Sequence, residues 1–293
     1  MVVNYNAGPI LVGCVGSVLA QDPAPELVVV DNASTDGSLD SLRRAHPGVR
    51  VVQSGANLGY ARAANLGIAA TDAPVVAVLN PDTVLDPGTG KALTDRFATE
   101  ADLGAAGPRL HNPDGSVYPS ARRIPSLVDA VGHGLLFFVW PANPFTGRYR
   151  ETGADPSRSR DVDWVSGAAV WLRREALDAI GGWDERYFMY VEDVDLCWRL
   201  CRSGWRVAYE PAGSVEHLLG VSTASRPYRM IAEHHRSLLR FASVRFTGAR
   251  RVLLGPAAAF LTARGALAMA HHRFAGAQGA IRSRWRTTPD GDG

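Results

Sequence analysis

The stretch Leu27-Val28-Val29-Val30-Asp31 constrains this sequence more than any other. Four apolar residues in a row leave no polar face. A strand of this kind must be covered on both sides, which is the situation of a parallel sheet between two layers of helices. The next residues, Asn32-Ala33-Ser34-Thr35-Asp36-Gly37, are small and polar, and they suit the start of a helix that extends to about residue 45. The same unit then recurs: residues 49–52 predict a strand, 60–70 a helix, 74–79 a strand and 90–99 a helix, while Val2-Val3 is the stub of another strand. This alternation predicts an α/β domain whose mostly parallel central sheet is flanked by helices.

Further along, residues 108–126 and 141–161 are rich in Pro, Gly, Asn and Arg without periodicity and predict loops. Residues 163–172 are strand-like, 175–180 and 194–202 helical with Gly204 closing the second helix, and 205–209 a final strand. The first domain is expected to end near residue 225, with a helical extension over 226–293 built from helices at 228–246 and 251–270. Hydrophobic residues are 46% and charged residues 20%, which excludes disorder as a description of most of the chain.

The formal net charge of +2 conceals a division: residues 228–293 hold eleven arginines and three acids, a net +8, whereas residues 1–227 carry −6. An acidic body argues against a nucleic-acid partner, and a basic tail suits anionic lipid head groups. The second tail helix is interrupted by Gly255-Pro256 and Arg264, so contact in the plane of a membrane is expected rather than a crossing, with packing on the body as the alternative. Cys14, Cys197 and Cys201 are an odd set with no signal peptide ahead of them, which suits a cytoplasmic protein at the inner membrane face; Cys197 and Cys201 are expected in the core.

Neither a Walker loop nor a G-x-G-x-x-G turn is present, so bound phosphates need another cation. Asp82 could supply it by holding a divalent metal, because Leu79-Asn80-Pro81-Asp82 follows a buried strand at the edge where open α/β sheets bind ligands. An ordinary Asn-Pro-Asp turn is the plainer reading. A denser set follows in Gly182-Trp183-Asp184-Glu185 and Glu192-Asp193-Val194-Asp195, where five acids are interleaved with aromatic residues. Helix N-termini attract acids for their dipole alone, but crowding also raises the proton affinity of a carboxylate, as a general base requires, and aromatic faces suit sugar rings. His217 lies near another strand end. A lone histidine is usually structural, yet this one could share a metal with Asp82.

In order along the chain, Val2-Val3-Asn4-Tyr5-Asn6, Val30-Asp31-Asn32-Ala33-Ser34-Thr35-Asp36-Gly37-Ser38, Asn57-Leu58-Gly59-Tyr60, Asn65-Leu66-Gly67, Leu79-Asn80-Pro81-Asp82, Gly167, Gly182-Trp183-Asp184-Glu185, Phe188, Glu192-Asp193 with Asp195, Arg199 and Gly204, and His217 resemble the inverting glycosyltransferases of family 2. The resemblance covers roughly residues 2–225, is closest to the rhamnosyltransferase-like branch, and implies the GT-A fold. It implies that Asn4, Tyr5, Asn6, Asp31, Asn32, Asn57, Gly59 and Asn80 line a nucleotide pocket, and that Asp82 and His217 hold Mg²⁺ or Mn²⁺. Asp193 would be the general base, and Trp183, Asp184 and Glu192 would position acceptor or donor sugar. The implied donor is a nucleotide-sugar, dTDP-L-rhamnose first and a UDP-sugar such as UDP-galactofuranose or UDP-glucose otherwise. The implied acceptor is a polyprenyl-diphosphate-linked sugar or another glycan.

Two departures stand out. Asn80 occupies the place of the first acid of a D-x-D motif, and only Met1-Val2-Val3 precede Asn4 where relatives have a longer strand, so a clipped edge could weaken nucleotide binding. Two other classes compete. A sugar-nucleotide pyrophosphorylase would want a basic Gly-rich loop that residues 4–11 do not offer, and a non-catalytic binding protein would not need Asp82, Asp193 and His217 together.

Overall fold

A computed structural model describes residues 1–137, 139–218 and 227–285, the last twelve of these by their backbone. The chain runs through β1 (Val2–Asn4), α1 (Ile10–Leu19), β2 (Val28–Asp31), α2 (Ser38–Ala45), β3 (Arg50–Gln53), α3 (Tyr60–Ile68) and β4 (Val75–Leu79). These four strands lie parallel in the order β3-β2-β1-β4, with Asn4 level with Asp31. Every residue of β2 is buried. Val28 and Val30 point into one core with Tyr60 and Ala64, and Val29 into the other with Leu11, Cys14 and Leu42, so the apolar run is covered from both sides. Each such side chain contributes about 1.5–3 kcal/mol on leaving water.

Helix α1 has no counterpart in the sequence expectation. Val12, Val15 and Val18 with Gly13 and Gly16 make poor helix formers, but Leu11, Cys14, Val15 and Val18 bury against the sheet, and that packing outweighs propensity.

The second half contains β5 (Thr83–Leu85), α4 (Thr89–Thr99), β6 (Leu103–His111), β7 (Val117–Tyr118), β8 (Ala121–Arg122), α5 (Leu127–Leu136), α6 (Pro144–Arg150), β9 (Arg160–Asp161), β10 (Trp164–Val165), β11 (Ala169–Arg173), α7 (Arg174–Ile180), α8 (Glu192–Arg202) and β12 (Arg206–His217). The sheet continues from β4 as β11-β6-β12-β5, and β11 is antiparallel to both of its neighbours. The sheet is therefore parallel in its first half and mixed in its second.

Several elements depart from expectation here. Residues 108–126 hold the end of β6 and two short strands, and residues 141–161 hold α6, whose first turn is capped by the Asn143 side chain accepting from Thr146 N–H at 2.9 Å. Residues 163–172 are two strands, parted at Ser166-Gly167-Ala168. The last strand does not stop at residue 209: a register shift absorbs Pro211-Ala212-Gly213 as a bulge and β12 runs on, so that His217 ends it. Cys197 is buried as expected, but Cys201 is exposed on α8.

The chain divides into two compact units, Met1–Ser225 and Arg226–Gly293. The second contains α9 (Pro227–Arg245), a 3-10 turn (Gly248–Leu253) and α10 (Leu254–Trp285). Pro256 does not interrupt α10, because it falls in the first turn, where a missing N–H costs nothing. Residues Gly248–Arg273 are in consequence long and apolar enough to cross a membrane by length and composition.

Candidate active site

The carboxyl ends of the parallel strands form a rim that is knitted by short polar side chains. Asn4 Nδ2 donates to Asp31 Oδ1 at 2.8 Å, to Ser38 Oγ at 3.0 Å and to Ser34 Oγ at 3.1 Å. Asn6 N–H donates to Ser34 Oγ, and Asn6 Oδ1 accepts from Thr35 N–H at 2.8 Å, with half-buried Tyr5 on the same turn. Asn32 Oδ1 accepts from Leu58 N–H at 2.9 Å, while Asn57 Oδ1 accepts from both Asn32 Nδ2 and Gly59 N–H at 3.1 Å. Gly59 has φ +86°, and a Cβ there would lie 2.5 Å from the Phe188 carbonyl, so only glycine allows this turn to close on the Phe188 loop. The nucleotide-pocket residues expected from sequence thus gather at one edge. Asn4 and Asp31 are almost wholly buried, however, and their side chains shape the rim from beneath rather than reaching out of it.

Asp82 and His217 also come together. Thr83 pairs with His217 across β5 and β12, Leu218 N–H donates to the Asp82 carbonyl at 2.9 Å, and His217 Nε2 lies 3.4 Å from Asp82 Oδ1. Both side chains are buried. His217 Nδ1 is enclosed without a hydrogen-bond partner, and its ring meets Tyr118 edge-on at 5.9 Å. Among the described residues no cluster of three or more His, Cys, Asp or Glu could hold a metal. A carboxylate and an imidazole with spare capacity fit an ion that completes its shell with substrate phosphates, the usual habit of Mg²⁺ and one open to Mn²⁺. Asn80 N–H donates to the Ala168 carbonyl at 2.8 Å, which ties the Asn-Pro-Asp turn to the break before β11.

Asp193 sits on the other side of that break. Its Oδ2 accepts from Gly167 N–H at 3.0 Å and its Oδ1 from Val194 N–H at 2.9 Å. The Gly167 carbonyl accepts from Tyr60 OH at 2.7 Å, and burial pushes the Tyr60 hydroxyl far up, with the Glu192, Asp193 and Asp82 charges adding to the effect. Those three carboxylates therefore act on one tyrosine. The turn that delivers the acids is strained: Tyr190 at φ 66° and the β-branched Val191 at φ 68° hold left-handed conformations, at about 1–3 kcal/mol each.

The neighbouring acids differ in character. Burial raises the Glu192 pKa to about 8, with the Asp193 charge adding to it, and Glu192 Oε2 has no hydrogen-bond partner. Burial raises Asp193 too, but the N–H groups of Gly167 and Val194 and the charge of Arg122 oppose the shift. The N–H groups of Gly167 and Val194 favour the charged form of Asp193. A carboxyl that holds its proton more tightly when folded costs stability as pH rises from its unfolded pKa near 4.5 towards 8. Glu192→Gln should therefore raise the melting temperature at pH 8, by about 1–3 kcal/mol of stability, with the gain shrinking towards pH 4. Melting curves across that range check this, and a gain that does not vary with pH would contradict it.

Arg122 is the residue that sequence reasoning missed. It lies within the stretch expected to be loop, where β8 pairs with β10 just ahead of Gly167. Its guanidinium stands over Tyr118, Tyr149 and Trp164 at 5.0–5.7 Å and donates to the hydroxyls of Tyr149 and Tyr118. The available signal was Arg122-Arg123 amid spaced aromatics, which becomes a cage only in three dimensions.

One expectation needs correction. Trp183 is 1% exposed, packed edge-on against Tyr60 at 5.7 Å, so it supports the Tyr60–Gly167–Asp193 chain and presents no face to a sugar. Asp184 turns to Arg186, which donates to both its oxygens, and lines a cleft of about 380 Å³ with Asn65 and Arg199. Asp195 likewise is held by Arg199 at 2.7 Å as part of the α8 framework.

Residues 1–181 match the pattern of glycosyl transferase family 2. The chain belongs to this family. A curated relative in Mycobacterium tuberculosis, an N-acetylglucosaminyl-diphospho-decaprenol L-rhamnosyltransferase, is 41% identical over 282 residues, spanning 92% of this chain and 90% of its own. An Escherichia coli rhamnosyltransferase is 30% identical over 122 residues, 42% of this chain and 43% of its own. Among solved structures, GalNAc-T7 with UDP, GalNAc and Mn²⁺ has a TM-score of 0.60 at 17% identity, covering 83% of this chain but only 47% of that one. A Pyrobaculum calidifontis mannosyltransferase with GDP-Man and Mn²⁺ has a TM-score of 0.56 at 18% identity, covering 98% and 81%. These likenesses establish the GT-A fold, and the family 2 chain is a glycosyltransferase.

Proposed function

We propose that this family 2 glycosyltransferase moves L-rhamnose from dTDP-L-rhamnose, with inversion, to a polyprenyl-diphosphate-linked sugar. The observation that carries the proposal is the 41% identity over nine-tenths of a relative whose name states that reaction class. Asp193 would take the proton from the acceptor hydroxyl as that oxygen attacks the anomeric carbon in line with the leaving diphosphate, so one displacement inverts the centre. Glu192, protonated, would stand beside it as a hydrogen-bond donor, and Arg122 would keep the Asp193 carboxylate ionised. A divalent cation on Asp82 and His217 would offset charge on the departing nucleoside diphosphate. The rim made by Asn4, Tyr5, Asn6, Asp31, Asn32, Asn57, Gly59 and Asn80 would hold the nucleotide.

Residues 1–225 would form the catalytic domain, and the arginines of 226–293 would bring it to the cytoplasmic face of a membrane, a contact checked by sedimentation with anionic vesicles in rising salt. The donor is tested by offering dTDP-rhamnose, UDP-glucose, UDP-galactofuranose and GDP-mannose, each with Mg²⁺ or Mn²⁺ and a short polyprenyl-diphosphate sugar. Release of dTDP is the expected result. Release of UDP alone would reassign the donor, and release of no nucleoside diphosphate would defeat the proposal.

A further inference from the structure

Helix α5 is an apolar helix whose side chains are largely exposed among the described residues. Residues 124–140 contain one ionised side chain, Asp129, and Arg148 closes it at 2.6 Å. Within α5 only Gly134 is buried. Val128 is 67% exposed, Leu135 60%, and the following Val139 and Trp140 are 81% and 52% exposed. Leu127, Val131 and Leu135 recur every four residues and make one outward stripe. The inner side is fixed by His133, whose Nδ1 meets Thr146 Oγ1 at 2.9 Å and whose ring packs on Tyr149 at 5.2 Å.

Length and exposure together narrow what such a helix can be. Ten residues rise about 15 Å, half of what a bilayer core requires, so α5 cannot cross a membrane. Its exposure means that it is not a core helix. A short apolar helix ending near an exposed tryptophan suits the interfacial layer of a bilayer, where indole rings partition.

The position of α5 gives this a purpose. Tyr149, which packs on His133, accepts from Arg122 Nη1 at 3.2 Å, and the Arg122 charge acts on Asp193. The exposed face is thus two side chains removed from the cation whose charge acts on Asp193. An acceptor whose diphosphate is in water and whose prenyl chain is in lipid can meet Asp193 only if this rim lies close to the bilayer surface. We propose that the outer face of α5, with Val139 and Trp140, seats in the membrane interface and holds the site against the head-group layer where a prenyl-diphosphate acceptor emerges. This rests on the lipid-linked acceptor proposed above and adds a docking element to the arginine-rich tail.

The test uses the full chain and phosphatidylcholine–phosphatidylglycerol vesicles carrying brominated acyl chains. Bromine should quench part of the wild-type tryptophan fluorescence, and the quenched part should fall at least about twofold in Trp140→Phe. In Val128→Asp/Leu135→Asp, turnover of a vesicle-embedded acceptor should fall about tenfold or more, while turnover of a short water-soluble acceptor stays at the wild-type level. Equal quenching in Trp140→Phe, or equal turnover of the embedded acceptor, would overturn the proposal. So would a wild-type dimer in lipid-free solution that the double substitution dissociates without changing vesicle binding, since a second copy would then be the occupant. Failure of the wild type on both acceptors would defeat the lipid-acceptor reading instead, with the quenching still deciding whether α5 touches lipid.

Discussion

Asp193→Asn should lower turnover by about 10²–10⁴-fold while leaving nucleotide binding within about twofold of wild type. The substitution is isosteric, and the amide oxygen can still accept from Gly167 N–H, which holds the turn before β11, although Val194 N–H then lacks its side-chain acceptor. What is lost is the basic site. A second readout separates this from a packing defect: removing the Asp193 charge removes a like-charge neighbour of Glu192, so the Glu192 pKa should fall from its raised value towards the ordinary range. Carbon-detected NMR titration of Glu192 follows that shift, and single-turnover kinetics follow the chemistry. Wild-type turnover in Asp193→Asn would remove the residue from the reaction.

Asp82→Asn should abolish the response to added Mn²⁺ and lower kcat/KM by about 10²–10³-fold, equivalent to about 3–4 kcal/mol of transition-state stabilisation. The effect should be this large because protein donors would be few: Asp82 would contribute one carboxylate and His217 one imidazole, and Asn80 stands where a second acid would otherwise help. Losing one of two donors leaves little to hold the ion between turnovers. Calorimetry with Mn²⁺ in the presence of dTDP, on wild type, Asp82→Asn and His217→Ala, measures this without any acceptor. Equal Mn²⁺ affinity in all three would show that this pair does not hold the metal.

Legibility in the sequence followed the range of the interactions involved. The βα rhythm was visible because an unbroken apolar strand and a capped helix are local patterns, and α2, α3 and α8 fall close to their expected places. Helix α1 was not visible because its glycines and β-branched residues are poor helix formers and only the sheet beneath them makes a helix favourable. The Glu192-Asp193 pair could be marked as chemically unusual from crowding alone. What favours charge on Asp193 could not, since that comes from the two N–H groups at Asp193 and from Arg122, which is 71 residues away. Trp183 misled for a similar reason: an aromatic residue next to acids reads as a sugar platform until Tyr60 and Gly167 are seen packed against it.

Sequence alone determined the fold class, the carboxyl edge at which chemistry would gather, and the acids and histidine that could carry it, because each follows from residue type and short-range spacing. Tertiary structure alone decided which side chains meet. It brought His217 to Asp82 through a bulged strand, built the aromatic cage of Arg122, and buried Trp183 while leaving the Leu127-Val131-Leu135 stripe of α5 exposed among the described residues. These outcomes depend on contacts between segments tens to more than a hundred residues apart, and their free energies exist only once the chain has closed on itself.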